Sequence, residues 1–565
     1  MAEYLSPGVY VEEYDNSPRA VEGVGTSTAG FVGMAVKGPD IGAPKLITSF
    51  AEFTRQYGGY LSEYAYGEYR YLASSVEQFF NNGGTRCYVA RVTAPGAKAA
   101  AKDTKLMTME AVNPGIWGNR IQIALQSVAK KKMQLTEKID EVTYTAKNTA
   151  GFLEGDLVVF DKEYNRIARI FDNTVTFEKA FTADPVDAAL VPKKLVYLVE
   201  TEMRVKYNDE AEEYTSLSFN MASPAYIATQ LEKSNLIKIT VKPADGIENP
   251  VSALLDTEDT AGVIILSGGD DGNVKEVTEG TFIGKDNGPG KRTGIQAFLE
   301  NDNISMIAVP GITMPGVIVS LVAHCENTAS RFAVIDMPKD MSDTKELIEY
   351  RDIIDSTYAA MYHPWIQNFD RSSQKADYFP PSGAVMGIYA RTDISRGVHK
   401  APANETVMCT DLNIHFGKGE QDILNPAGIN IIRKLPGQGI RVWGARTASS
   451  NAAFKYVNVR RLFIYVEESI KANTNWVVFE PNDQTLWTRV GITITAFLDN
   501  LWRSGMLAGA SPEESYFVEI GPSTMTQDDI ANGRLICNIG IAPSKPAEFV
   551  IFRVTQFTAE SGGAE

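Results

Sequence analysis

The chain has 565 residues, of which 44% are hydrophobic and 22% charged, and its formal net charge is −16. That length corresponds to about three or four domains, and the composition excludes a disordered chain. The acidic balance opposes binding a nucleic-acid backbone over a broad surface, because that needs clustered Lys and Arg to release counterions.

In chain order, Val9-Tyr10-Val11-Glu12-Glu13 follows Ser6-Pro7-Gly8 and precedes a polar, Pro-containing stretch through Arg19. It reads as a short strand on a flexible arm with no local partner. Thr28 to Val36 is an apolar strand, Phe50 to Tyr57 and Tyr69 to Phe80 have helical spacing, and Cys87 to Val92 returns as a strand. This is α/β alternation.

From about Thr104 to Pro250 short alternating runs take over, such as Leu157-Val158-Val159-Phe160 and Thr174-Val175-Thr176-Phe177, separated by Asp, Asn and Gly turns. They predict a β-rich insertion, a small sandwich or barrel, followed by a helix over Pro224 to Lys233 and a strand over Ile237 to Val241. The α/β rhythm then resumes, with strands at Val263 to Leu266, Ile304 to Val309 and Phe332 to Asp336 and helices at Thr293 to Leu299 and Val317 to Ala329. Strands apolar on both faces suit a parallel sheet covered by helices. Met306 to Ala323 is nearly long enough to span a bilayer, but Pro310-Gly311 and Pro315-Gly316 divide it into a strand, a turn and a helix.

A third unit is expected from about Arg433, with helices near Asn458 to Asn473 and Thr485 to Leu507. The chain closes on a β-prone run from Glu548 through Phe549, Val550, Ile551, Phe552 and Val554 to Phe557. An unpaired strand of this kind templates another chain. Two terminal strands therefore predict strand exchange between subunits, a heterologous contact that builds rings or helical filaments when it repeats.

The chemical motifs are weak. Gly25-Thr26-Ser27-Thr28-Ala29 looks like a protease nucleophile segment, but all four histidines, His324, His363, His399 and His415, come far downstream, the wrong order for a subtilisin-like triad. Leu266-Ser267-Gly268-Gly269-Asp270-Asp271-Gly272 lacks the GK[ST] ending of a phosphate loop, puts carboxylates where phosphate would sit, and misses the calcium-loop spacing. Gly437-Gln438-Gly439 precedes a strand and not a helix, so it is a turn. The histidines show no HExxH pairing. The basic run Lys130-Lys131-Lys132 reads as solvated loop, and Cys87, Cys325, Cys409 and Cys537 stand far apart without a CxxC pair, as buried thiols of a reducing compartment do. Met1-Ala2-Glu3-Tyr4 has no signal-peptide character, which places synthesis and assembly in the cytoplasm until lysis. No catalytic residue, cofactor or metal is expected. The competing reading is a multidomain α/β hydrolase, or another enzyme, whose site is assembled from distant residues.

Several segments together resemble the contractile tail sheath family of phages and phage-derived particles. They are Tyr4 to Glu13 with Gly25 to Gly33, the turn Asn113-Pro114-Gly115-Ile116-Trp117-Gly118-Asn119, and the loop Leu266 to Gly272. The densest match runs through Pro380 to Gly383, Tyr389 to Asp393, Arg396 to Asn404, Leu424 to Pro426, Gly428 to Asn430 and Val442 to Thr447. The resemblance implies a structural subunit that polymerises around an inner tube, contracts without nucleotide hydrolysis and drives the tube through a target envelope. It implies arms at residues 1–27 and 548–565, and a discontinuous central α/β domain at 28–103 and 251–432, subtilisin-like in shape but non-catalytic. It also implies an outer β-rich insertion at 104–250 and an α+β domain nearest the tube at 433–547. Val9, Tyr10, Val11, Phe549, Ile551, Phe552 and Val554 are the expected inter-subunit strand residues. Arg460, Arg461 and Lys471, on the helix beginning near Asn458, are expected to meet acidic groups on a tube subunit. Partners implied are further copies of the chain, the tube protein, and baseplate and tail-terminator proteins, in the tail of a virion or phage-like particle. Neither nucleic acid nor membrane insertion is expected.

Overall fold

A computed structural model describes residues 21–186, 195–242 and 262–553. A nine-stranded sheet forms the centre, in the order Lys45–Ile47, Arg86–Val92, Thr28–Met34, Met306–Ala308, Phe332–Asp336, Ala359–His363, Ile429–Leu435, Gly439–Val442 and Glu405–Thr406. The six strands from Arg86–Val92 to Ile429–Leu435 are parallel, and the edges are antiparallel. Because a strand alternates its side chains, each of these apolar runs feeds two cores. Val32, Ile307, Ala333 and Ile335 pack beneath the helices Pro315–Thr328, Thr344–Arg351 and Lys418–Leu424. Phe31, Met306, Phe332 and Val334 pack beneath Leu72–Asn81 and Ser382–Arg396 on the other side.

These last two helices approach closely because Gly383 and Gly387, one helical turn apart, face the backbone of the first. A Cβ on either would lie 2.2 Å from the Ser75 carbonyl oxygen or 2.4 Å from that of Phe79. The start of Ser382–Arg396 is held by buried Asp336, at the end of its strand. One carboxylate oxygen accepts from the Ser382 amide at 2.7 Å, and the other from the Ser382 hydroxyl at 2.7 Å and the Gly311 amide at 3.0 Å. Burial outweighs these bonds and pushes the Asp336 carboxyl up to about 6.

The expected β-rich insertion is present in two parts, a barrel and a pair of sheets. Strands Lys132–Lys138, Thr143–Ala146, Leu157–Phe160, Glu163–Phe171, Thr174–Phe177 and Leu195–Leu198 close into the barrel around Tyr144, Phe160, Phe177 and Val196. A four-stranded sheet, Glu210–Leu217, Glu200–Tyr207, Gln122–Val128 and Val263–Ile265, and the three-stranded sheet Ala101–Asp103, Met107–Ala111 and Ile237–Val241 share a second core containing Trp117. Val263–Ile265, expected in the central parallel sheet, pairs antiparallel with Gln122–Val128 instead, because a short apolar run does not specify which sheet it joins. The turn at 113–119 and the loop at 266–272 tie this part to the central sheet. Asn119 exchanges two hydrogen bonds with the backbone of Gly269, at 2.9 and 2.8 Å, and Asp271 accepts from the Ile116 amide and the Tyr66 hydroxyl. Buried Arg91 completes the junction by donating to the carbonyls of Ala35, Gly38 and Pro114. The loop at 266–272 is therefore a structural clasp.

Smaller elements differ from expectation. The run Thr293 to Leu299 forms a 3-10 helix, Gly294–Glu300, and the helix in Pro224 to Lys233 shrinks to Ile227–Leu231. Met306 to Ala323 divides as expected into a strand and the helix Pro315–Thr328, and no helix among the described residues is long and apolar enough to cross a membrane. Residue 433, the expected start of the C-terminal unit, lies within strand Ile429–Leu435, because that strand and Gly439–Val442 form a hairpin that extends the central sheet.

Beyond the sheet, the helices Val457–Asn473 and Gln484–Arg503 pack on one face of a two-stranded sheet, Tyr516–Ile520 with Cys537–Ile541, around Leu462, Val466, Val490, Phe497 and Leu498. Each of these strands has one partner among the described residues, so each leaves an edge open.

Candidate assembly site at the roots of the two arms

The C-terminal root is fixed by one carboxylate. Glu548 takes a bidentate pair from Arg446, with Nε and Nη2 each at 2.8 Å, and accepts from Asn425 Nδ2 and the Tyr456 hydroxyl, each at 2.8 Å. Lys455 stands 3.5 Å away. Burial alone would raise this carboxyl, but the hydrogen bonds from Arg446, Asn425 and Tyr456 and the guanidinium charge together hold it down at about 2. Arg446 is itself braced. Its Nη1 donates to the Asn425 carbonyl, its amide donates to Asn430 Oδ1, and Asn430 Nδ2 donates to the carbonyls of Arg446 and Met361 in the central sheet.

Past this anchor the chain is apolar and uncovered. Phe549, Val550, Ile551 and Phe552 are 71%, 68%, 79% and 86% exposed, and none lies in a strand. Four consecutive apolar residues in water are costly unless they are covered in the working state. Val554, and Val9, Tyr10 and Val11 of the opposite terminus, lie outside the described residues.

The N-terminal root lies along the helix Val457–Asn473. The Val24 amide donates to Ser469 Oγ at 3.1 Å, Asn473 Nδ2 donates to the Glu22 carbonyl at 2.9 Å, and Gly23 passes so close to Tyr465 that a Cβ would sit 2.0 Å from its hydroxyl. Thr26 donates to Asp393, whose carboxylate also pairs with Arg461, and Arg461 Nη2 donates to the Thr26 carbonyl at 3.0 Å.

This corrects two of the three expected tube-contact residues. Arg461 and Asp393 are each 3% exposed at the side chain, and Arg461 stacks over Tyr389 at 4.7 Å. Arg460 is buried with its guanidinium over the rings of Phe454 and Tyr358, at 3.6 and 4.5 Å. Both serve the interior of the subunit, because an Arg on a helix is drawn in where an aromatic face or carboxylate awaits it. Lys471 does point outward, beside Glu468.

Among the described residues the histidines and Ser27 form no comparable constellation. Ser27 is far in sequence from every histidine, His324 Nε2 accepts from Arg331 Nη1, and His363 Nε2 faces the Met341 carbonyl. Burial lowers both histidines to about 4, so both rings are neutral at ordinary pH. Of the residues that fix the roots, Arg461 is assigned a different role by the sequence, and those around Glu548 are assigned none. Asn425 and Arg446 stood in recognisable segments, but Glu548 was marked only by being the one acid at the base of an apolar run.

The family model for the phage tail sheath protein central domain matches residues 287–448, and that for the phage tail sheath C-terminal domain matches 449–557. Their junction falls just after the last residues of the central sheet. The chain is 25% identical over 304 residues to a protein named as a prophage major tail sheath protein in Pseudomonas aeruginosa strain UCBPP-PA14, covering 52% of this chain and 76% of that one. It is 24% identical to the tail sheath protein of Salmonella phage ViI over 40% of this chain, and spans only 39% of that longer protein. Its fold matches the sheath of the PVC extracellular contractile injection system in its contracted state, with a TM-score of 0.53 and 21% identity, over 99% of this chain and all of that one. Two sheath-specific models in chain order, relatives named as sheath proteins and a sheath fold from end to end agree: the chain belongs to the contractile tail sheath family, whose members are structural subunits and not enzymes.

Proposed function

We propose that this subunit polymerises helically around an inner tail tube by strand exchange, each arm adding to the C-terminal sheet of a neighbour, and that contraction of the polymer drives the tube through a target envelope. The observation that carries this reading is the uncovered run Phe549–Phe552 leaving a root clamped at Glu548. Strand addition would give it both backbone hydrogen bonds and apolar cover. The open edges of Tyr516–Ile520 and Cys537–Ile541 supply an acceptor of the right kind, and Phe517 already stands 54% exposed there. The tube protein, baseplate and tail terminator are the further partners of this reading, with the unit around Val457–Asn473 nearest the tube and Lys471 its remaining candidate contact. Cytoplasmic assembly and release on lysis belong to the same proposal.

Negative-stain electron microscopy of the concentrated full chain, beside versions lacking residues 1–16 or 549–565, tests it. Tubes or rings from the full chain and none from either deletion are expected. The second deletion keeps Glu548, so its root stays anchored and only the strand is lost. Polymers that persist in both deletions would refute strand exchange.

A further inference from the structure

A groove of roughly 1000 Å³ runs beside the C-terminal root, walled by parts of the segments 396–404, 421–426, 443–446 and 544–550 together with Lys418, Arg433 and Tyr456. Its chemistry is uneven. Arg446 and Lys400 are paired with Glu548 and Glu405, but Arg396, Lys418, Arg433 and Lys545 have no carboxylate within 4.0 Å among the described residues. Arg433 donates Nη1 to Gln421 at 3.0 Å, and its buried Nε has no partner. The only carboxylate left to set against these four cations on the groove wall is Asp422, and the half-buried indole of Trp443 gives an apolar surface among them. In a chain of net charge −16, a concave site with a surplus of cations selects an acidic ligand.

We propose that this groove receives the N-terminal segment of a second copy of the chain, with Glu12 and Glu13 against Arg396, Lys418, Arg433 and Lys545 and the neighbouring Val9-Tyr10-Val11 against Trp443. Residues 1–20 carry Glu3, Glu12, Glu13 and Asp15 against one cation, Arg19, so the segment complements the groove in sign. The adjacent acids follow directly on an apolar triplet, matching cations set beside an indole. The chain's other acidic end matches less well: Glu560 and Glu565 are separated by Ser561-Gly562-Gly563-Ala564, with no apolar side chain longer than Ala between them. This inference rests on the strand-exchange reading, and adds to it a charge lock that sets where the incoming arm stops.

Zero-length carbodiimide coupling of the full-length polymer, grown from a mixture of isotope-labelled and unlabelled subunits, tests the assignment. Mixed-label peptides joining Glu12 or Glu13 to Lys418 or Lys545 are expected. Their yield should fall several-fold when coupling is done in 1 M salt, where the screening length drops from about 10 Å at 0.1 M to about 3 Å. Same-label links only, links from Glu560 or Glu565 in their place, or a polymer that forms with no link to either lysine would each overturn the lock while leaving strand exchange standing. Failure of the full chain to polymerise would remove strand exchange and the lock together. As a second measurement, the double variant E12K/E13K should lose assembly and regain it when combined with K418E/K545E, and no recovery counts against the lock.

Discussion

Replacing Glu548 with Gln removes the charge from the C-terminal root and keeps its shape. The native carboxyl sits at about 2 against an ordinary value of 4.5, so the folded root favours the ionised form by about 3 kcal/mol, at 1.36 kcal/mol per unit. The side chain is 18% exposed, which leaves most of that in force. A lowered carboxyl stabilises above its unfolded value, so docking of the root is strongest above pH 4.5 and weakens as pH falls towards 2. The Ser544 amide, which donates to the Met506 carbonyl just before the root, reports opening by hydrogen exchange. In the wild type its protection factor should fall across that acid range. In E548Q it should be lower by about a hundredfold at pH 7, the factor that about 3 kcal/mol implies, and should lose its acid dependence. An unchanged protection factor in E548Q, or the same acid profile in both proteins, would show that the carboxylate does not hold the arm.

Two further substitutions probe the interior. Asp393→Asn leaves Arg461 buried without its counter-charge, and breaking such a pair costs about 3–5 kcal/mol, to be read as a lower urea midpoint together with increased proteolysis near residues 22–27. Asp336→Asn concerns a group shifted the other way. A carboxyl raised from 3.8 to about 6 adds stability at low pH that is lost as pH rises from about 4 through about 6, so the wild type should lose about 2 kcal/mol between pH 4 and pH 7 from this residue, and D336N should lack that component of the profile.

The central sheet was legible because its inner strands, such as Met306–Ala308 and Phe332–Asp336, are largely apolar and buried on both faces, although the equally apolar Val263–Ile265 joins the insertion's sheet. The insertion was legible as β-rich and as a sandwich or barrel, but not as both a barrel and a separate pair of sheets, since the division depends on pairings such as Tyr197 with Val159 and Lys132 that alternation does not encode. Arg460 and Arg461 read as surface charges because their partners are remote: Asp393 is 68 residues from Arg461, and Tyr358 is 102 from Arg460. Glu548 was silent for the same reason. Its partners lie 92, 102 and 123 residues upstream, and only the fold gathers Tyr456, Arg446 and Asn425 around it.

The placement of the two roots bears on how a contracting lattice keeps its links. Arg446 and Tyr456 precede the helix Val457–Asn473, and Arg461, Ser469 and Asn473 lie on it, so one segment of the chain from residue 446 to 473 holds both roots. Through Asn430 the same segment is bonded to the central sheet at the Met361 carbonyl. Tension entering by one arm can therefore leave by the other through a packed helix and charge-assisted bonds, without loading the insertion. In the proposed strand-exchanged lattice, rotation of a subunit against its neighbours would fall on the stretches between root and exchanged strand. A lattice built as proposed would change shape by bending those stretches, while the strand pairs, whose many backbone bonds must break together, would stay closed.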